Sequence, residues 1–126
     1  MTTREASLKD VPAIADHALR TLAAAGQPSE VLSLLRPETS RLAQKCVTQV
    51  GNLCEVVERD GEIVGALMVD VLDPGIAAAI GYGDVAPIFE RLLVWLKANP
   101  TTRLSFLLLE AGGQQLLDHI QRRRES

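Results

Sequence analysis

The stretch LCEVVERDGEIVGALMVDV, Leu53 to Val71, constrains the fold more than any other part of the chain. Two β-prone runs meet at Asp60-Gly61, the pair that a two-residue type I′ turn favours because both central residues need φ > 0. Such a turn sets Arg59 opposite Glu62, a cross-strand pair of opposite charge, and Val57 opposite Val64. Ile63 to Val69 is apolar at both odd and even positions, whereas a strand with one wet face would alternate. A run of that kind belongs inside a sheet that has helices on both faces.

The flanking segments supply those helices. Thr2 to Ala6 reads as a short strand, and Ser7 or Asp10 can cap a helix whose first turn tolerates Pro12. Val11, Ile14, Ala15, Ala18, Leu19 and Leu22 form one apolar stripe, ended by Gly26. A second helical region opens at Pro28-Ser29, is expected to break near Pro37, and resumes through Leu42, Cys46, Val47 and Val50 until Gly51. Beyond the hairpin, Asp73-Pro74-Gly75 stops the chain and Ile76 to Tyr82 forms a further strand.

Asp84 is the expected cap of a helix from Val85 to Ala98, with Pro87 in its first turn. Ile88, Leu92 and Trp95 make one apolar row of that helix, and Phe89, Leu93 and Leu96 the next, with Glu90, Arg91 and Lys97 outside. Leu104 to Leu109 reads as another buried strand. Gly113 to Arg124 reads as a last helix with Leu116, Leu117 and Ile120 inward. The expectation is one α/β (α+β) domain over residues 1–126, in the order βααβββαβα, with a mixed, mostly antiparallel sheet flanked by helices.

Composition excludes several classes of function. A net charge of −3 and a pI near 5.3 give no field that favours nucleic acid, and the one basic run is Arg122, Arg123 and Arg124. Cys46 and Cys54 have neither redox-motif spacing nor histidines beside them, so they read as buried free thiols and no metal is expected. No uncharged run approaches the ~18 residues that span a bilayer, and Arg4, Glu5, Lys9 and Asp10 interrupt any leader-like segment. The expectation is a soluble, cytoplasmic chain without a membrane partner.

The best candidate for chemistry is the turn at Gly81 and Gly83. A strand, a glycine turn and a helix N-terminus together can hold an anion on unpaired amides. Against that use, Asp84 at the helix start repels phosphate and Pro87 removes an amide. On this reading the glycines turn the chain and Asp84 caps the helix.

In order and spacing the chain resembles the GCN5-related N-acetyltransferase (GNAT) family, most closely at TREASLKDVPAIADHAL and VVERDGEIVGALMV. The resemblance covers nearly the whole chain and implies a sandwich whose fourth and fifth strands splay apart to admit acetyl-CoA, its pyrophosphate on the amides that start the next helix. The family's phosphate loop has Arg or Gln, two residues, Gly, one residue, then Gly or Ala. Asp84, Pro87 and Phe89 stand at those positions when Leu92-Leu93 is aligned with the family's leucine pair, and the phenylalanine is expected to fill the ligand's space. Taking Gly83 as the first glycine instead puts Ile80 and Val85 at the other two. The family's last helix carries a tyrosine where His119 stands here, followed by two closing strands for which this sequence has no counterpart.

Two readings follow. In the first the chain is a non-catalytic binding or structural module with a degenerate acetyl-CoA loop and no cofactor; its narrower form resembles the short GNAT-like proteins of tailed-phage virions and would place the chain within a virion particle. A protein partner or second copy would then cover the apolar strand 104–109. The alternative is a divergent N-acetyltransferase that moves an acetyl group from acetyl-CoA to an amine. Gly83, Asp84 and Val85 would then lie nearest the cofactor, with Glu110 and His119 as acid–base candidates. Asp70, at the end of the central strand, is a further candidate base, and His17 reads as solvated surface.

Overall fold

The computed structural model describes residues 1–108 together with 118, 122 and 123. Leu109, Glu110, His119 and, apart from residues 118, 122 and 123, the helix expected over 113–124 lie outside the described residues. Strand β1 (Thr2–Glu5) leads through a short 3₁₀ turn into helices α1 (Val11–Ala24) and α2 (Ser29–Thr48). Strands β2 (Leu53–Arg59), β3 (Glu62–Asp73) and β4 (Ile76–Gly83) follow, then a 3₁₀ turn at Ala86–Ile88, helix α3 (Phe89–Ala98) and strand β5 (Arg103–Leu108). Among the described residues the strands form one sheet in the order β1-β2-β3-β4-β5, antiparallel except for the parallel β4–β5 pair.

β3 is the middle strand, and its two faces enter different cores. Leu67 and Val69 pack with Ile88, Phe89, Leu92, Leu93 and Leu96 on the α3 side. Ala66 and Met68 pack with Ile14, Ala18, Ala43 and Cys46 on the α1 and α2 side. The run that is apolar in both phases therefore sits between two helical layers, each of which supplies a matching stripe.

The β2–β3 turn has the expected geometry, with φ of 53° at Asp60 and 79° at Gly61 and Arg59 opposite Glu62. Beyond it the register departs from the sequence reading. Glu58 faces Ile63, but Val57 faces Gly65 and not Val64, so β3 carries an extra residue at that point. A β-carbon on Gly61 would meet nothing within 4 Å. Gly61→Val therefore isolates the cost of left-handed backbone at a β-branched residue, and a loss of about 1 kcal/mol or more is expected in chemical denaturation.

α2 runs unbroken through Pro37, contrary to the break expected there. Pro37 is exposed, so the carbonyl of Ser33 that loses its amide partner faces the wet side of the helix. At the other end of the chain fold, the α1 start is tied to the sheet. The Ser7 amide donates to Asp10 Oδ2 at 2.7 Å, and Arg4 bridges Asp10 and Glu58.

Candidate functional site

Strand directions decide which segments share one end of the sheet. Thr2 is opposite Glu58, Arg59 opposite Glu62, Gly65 opposite Gly83, and Gly81 beside Leu108. The β2–β3 turn, the end of β4, the end of β5 and the start of α3 therefore gather together, with α1 passing on one face. In a sheet of this kind that end is where backbone amides and side chains can converge on a ligand.

The β4–α3 turn was the anion candidate, and its amides are largely committed. The Asp84 amide donates to Val64 O at 2.8 Å, the carbonyl that the extra β3 residue leaves available. Ile88 N donates to Val85 O at 3.0 Å, Phe89 N donates to Ala86 O, and Pro87 has no N–H. Between Asp84 and Phe89 only Val85 and Ala86 keep amides with no backbone bond among the described residues.

Asp84 does not cap a helix. Neither the 3₁₀ turn nor α3 has a side-chain cap, and Asp84 Oδ2 instead lies 3.6 Å from Arg59 Nη2. The reason is that Val64 O holds Asp84 against β3, two residues before helical geometry begins at Ala86. Phe89, expected to obstruct a ligand, is buried in the α3-side core. Gly83 has φ of 68°, as a tight departure from the strand requires, and Val85 is buried in the same core as Phe89. β4 and β5 stay paired from Ile76 beside Arg103 to Gly81 beside Leu108, so the expected splay is absent over those residues.

His17, read as solvated surface, is half-buried instead. Its Nε2 lies 3.4 Å from Tyr82 O, and a β-carbon on Gly83 would come within 2.4 Å of the same nitrogen. Helical spacing from the buried Ile14 and Ala18 carries the imidazole over the end of β4. Asp70, the other sequence candidate, is at the opposite end of β3. It pairs with Lys45 Nζ at 3.0 Å and accepts from Asn52 Nδ2 at 3.1 Å, which explains it as a part-buried structural ion pair. Burial pushes the Cys46 and Cys54 thiols up to about 12, so both stay protonated and inert at neutral pH. Among the described residues no three metal-ligating side chains converge, and no helix is long and apolar enough to cross a membrane.

Two charged groups have roles that the sequence reading did not assign. Glu55 lies on the α3 face of β2, in phase with Leu53 and Val57, and its side chain is only 4% exposed. Its Oε1 is 3.9 Å from Arg91 Nε, and its Oε2 has no hydrogen-bond partner among the described residues. Burial raises its pKa, Arg91 opposes the rise, and Glu5 across the strand pair adds to it. Asp10 shifts the other way, because its hydrogen bond to Arg4 favours the ionised form. A glutamate in the inward phase of Leu53-x-Glu55-x-Val57 was the signal for the first, and Arg4 six residues before Asp10 for the second.

These opposite shifts give opposite pH dependences. With its folded pKa raised, Glu55 contributes stability that is present below its unfolded value and is lost as pH rises through the folded one. Asp10, with its folded pKa depressed, contributes stability that is present above its unfolded value and is lost as pH falls. Denaturation at pH 3 to 8 should therefore show Glu55→Gln gaining on the parent chain as pH rises. Asp10→Asn should lose most near neutrality and least in acid.

No family model matches the chain, and no curated protein matches it in sequence. Solved structures do match in fold. A GCN5-related N-acetyltransferase from Ralstonia eutropha JMP134 superposes with a TM-score of 0.69 at 14% identity, covering 94% of this chain and 90% of that one. A predicted acetyltransferase with acetyl-CoA from Clostridium acetobutylicum gives 0.68 at 13% identity, covering 94% and 86%. The PaiA N-acetyltransferase from Thermoplasma acidophilum, in complex with coenzyme A, gives 0.65 at 10% identity, covering 96% and 86%. The chain therefore has the GNAT fold, as its element order implied. A fold of this kind hosts sites that differ from one chain to the next, so activity has to be argued from the turn described above.

Proposed function

We propose that this chain is a GNAT-fold domain without the fold's phosphate cradle, serving as a non-catalytic binding or structural module. The observation that carries this reading is the use of the amides between Asp84 and Phe89. A pyrophosphate needs several converging N–H groups and no adjacent anion. Here two amides remain, a proline interrupts the turn, and the Asp84 carboxylate stands beside it. The residues present do not fit acetyl-CoA bound in that manner.

The same reading includes an assembly role. β5 lies at the edge of the described sheet, paired with β4 on one side. An edge strand offers unpaired backbone groups to a second copy or another protein. A virion component is the narrower form of this role.

One sample tests both parts. Millimolar acetyl-CoA is expected to leave the melting temperature unchanged, and sedimentation is expected to show a species larger than the monomer. A ligand present at 100 times its dissociation constant stabilises a fold by about 2.7 kcal/mol, so real binding would be plain. A saturable upward shift would restore the divergent N-acetyltransferase that acts on an amine, with Gly83, Asp84 and Val85 as its cofactor contacts. A monomer at high concentration would remove the assembly role.

A further inference from the structure

A second concave feature lies at the same end of the sheet, on the α1 face and away from the β4–α3 turn. It is a cleft of about 260 Å³ between α1 and the β2–β3 turn. Ala13, Asp16 and Arg20, at helical spacings of 3 and 4, form one wall, and Gly61, Glu62 and Ile63 form the other.

Charge accounting decides what such a cleft can take. Arg4 is shared by Asp10 and Glu58, a hydrogen-bonded triad that keeps one excess negative charge, and Asp16 Oδ1 pairs with Arg36 Nη1 at 2.7 Å. Once those pairs are removed, Arg20 and Glu62 remain as the lining charges with no ion pair or hydrogen bond among the described residues. They have opposite signs and come from opposite walls. A ligand with a single charge would use one of these exposed groups and leave the other to water. A ligand with an ammonium and a carboxylate uses both, through charge-assisted hydrogen bonds. Ala13 and Ile63 offer apolar surface to whatever side chain lies between, and the volume suits a free amino acid or a dipeptide.

We propose that the cleft between α1 and the β2–β3 turn binds a small zwitterion of the α-amino acid or dipeptide class, its carboxylate on Arg20 and its ammonium on Glu62. This rests on the reading of the chain as a binding module. The walls are open to water, so the charges are screened and the affinity falls in the millimolar range.

The test is a titration of the ¹⁵N-labelled full chain with alanyl-alanine, followed through backbone amide shifts. Saturable shifts are expected at Ala13, Arg20, Glu62 and Ile63. Arg20→Gln and Glu62→Gln should each weaken binding about tenfold without moving the melting temperature. The same dipeptide with its amine acetylated and its carboxylate amidated should give no saturable shift. An equal response to the capped dipeptide, unaltered binding by both variants, or no saturable shift with alanyl-alanine would overturn the proposal. Acetyl-CoA added to the same labelled chain reads out at the amides of Asp84, Val85 and Ala86. A response there counts against the proposed function and leaves the cleft untouched, so the two failures are separable.

Discussion

Gly65→Ala is expected to cost about 3 kcal/mol or more in chemical denaturation. A β-carbon at Gly65 would lie 1.8 Å from Asp84 O and 2.5 Å from Asp84 C, and both are backbone atoms that no rotamer change can move. The contact arises because Asp84 crosses back over β3 to reach Val64 O. Relief would require breaking that hydrogen bond and shifting the start of the 3₁₀ turn, which carries the buried Val85 and Ile88. Gly75→Ala is the matched control, since its nearest contact would be Asp73 Oδ1 at an ordinary 3.7 Å. Its stability should stay within roughly 0.5 kcal/mol of the parent. Equal losses at the two sites would show that Asp84 does not press on β3.

The second large effect is expected at Leu92, which is fully buried where α3 meets the sheet. Leu92→Ala removes a side chain that packs between α3 and the sheet and leaves a cavity the helix cannot fill without tilting. A loss of about 2–5 kcal/mol follows from the transfer and cavity terms together. Val94, on the same helix and 64% exposed, provides the comparison. Val94→Ala should change stability by no more than about 0.5 kcal/mol. If the two substitutions cost the same, α3 is held by something other than its apolar rows.

These two sites differ in how visible they were beforehand. The rows of α3 were legible because a helical period of 3.6 residues marks its own buried face, and Leu92 lies at the centre of that face. Gly65 carried no such signal. Its need for a bare α-carbon comes from Asp84, a residue that approaches it only after β4 has paired with β3. The candidate site divides in the same way. That Asp84 and Pro87 stand in the turn after Gly83 was readable from the sequence. Where the Asp84 groups go was not, because its amide goes to Val64 and its carboxylate to Arg59, in place of the helix cap that local rules favour.

By itself, the sequence determined the features set by local stereochemistry and periodicity. Asp60-Gly61 closes β2 onto β3 because only that backbone conformation matches the strand twist. The doubly apolar β3 must lie between two layers, and the stripes of α1 and α3 supply them. The element order carried the GNAT fold with it. Tertiary structure decided the rest: the extra residue in β3, the unbroken path of α2 through Pro37, the burial of Glu55, and the placing of His17 over Tyr82. Only there do Arg20 and Glu62, 42 positions apart in sequence, face one cleft. Each of these depends on which atoms arrive from distant segments to desolvate, pair with or exclude a group, and no local pattern in the chain encodes those neighbours.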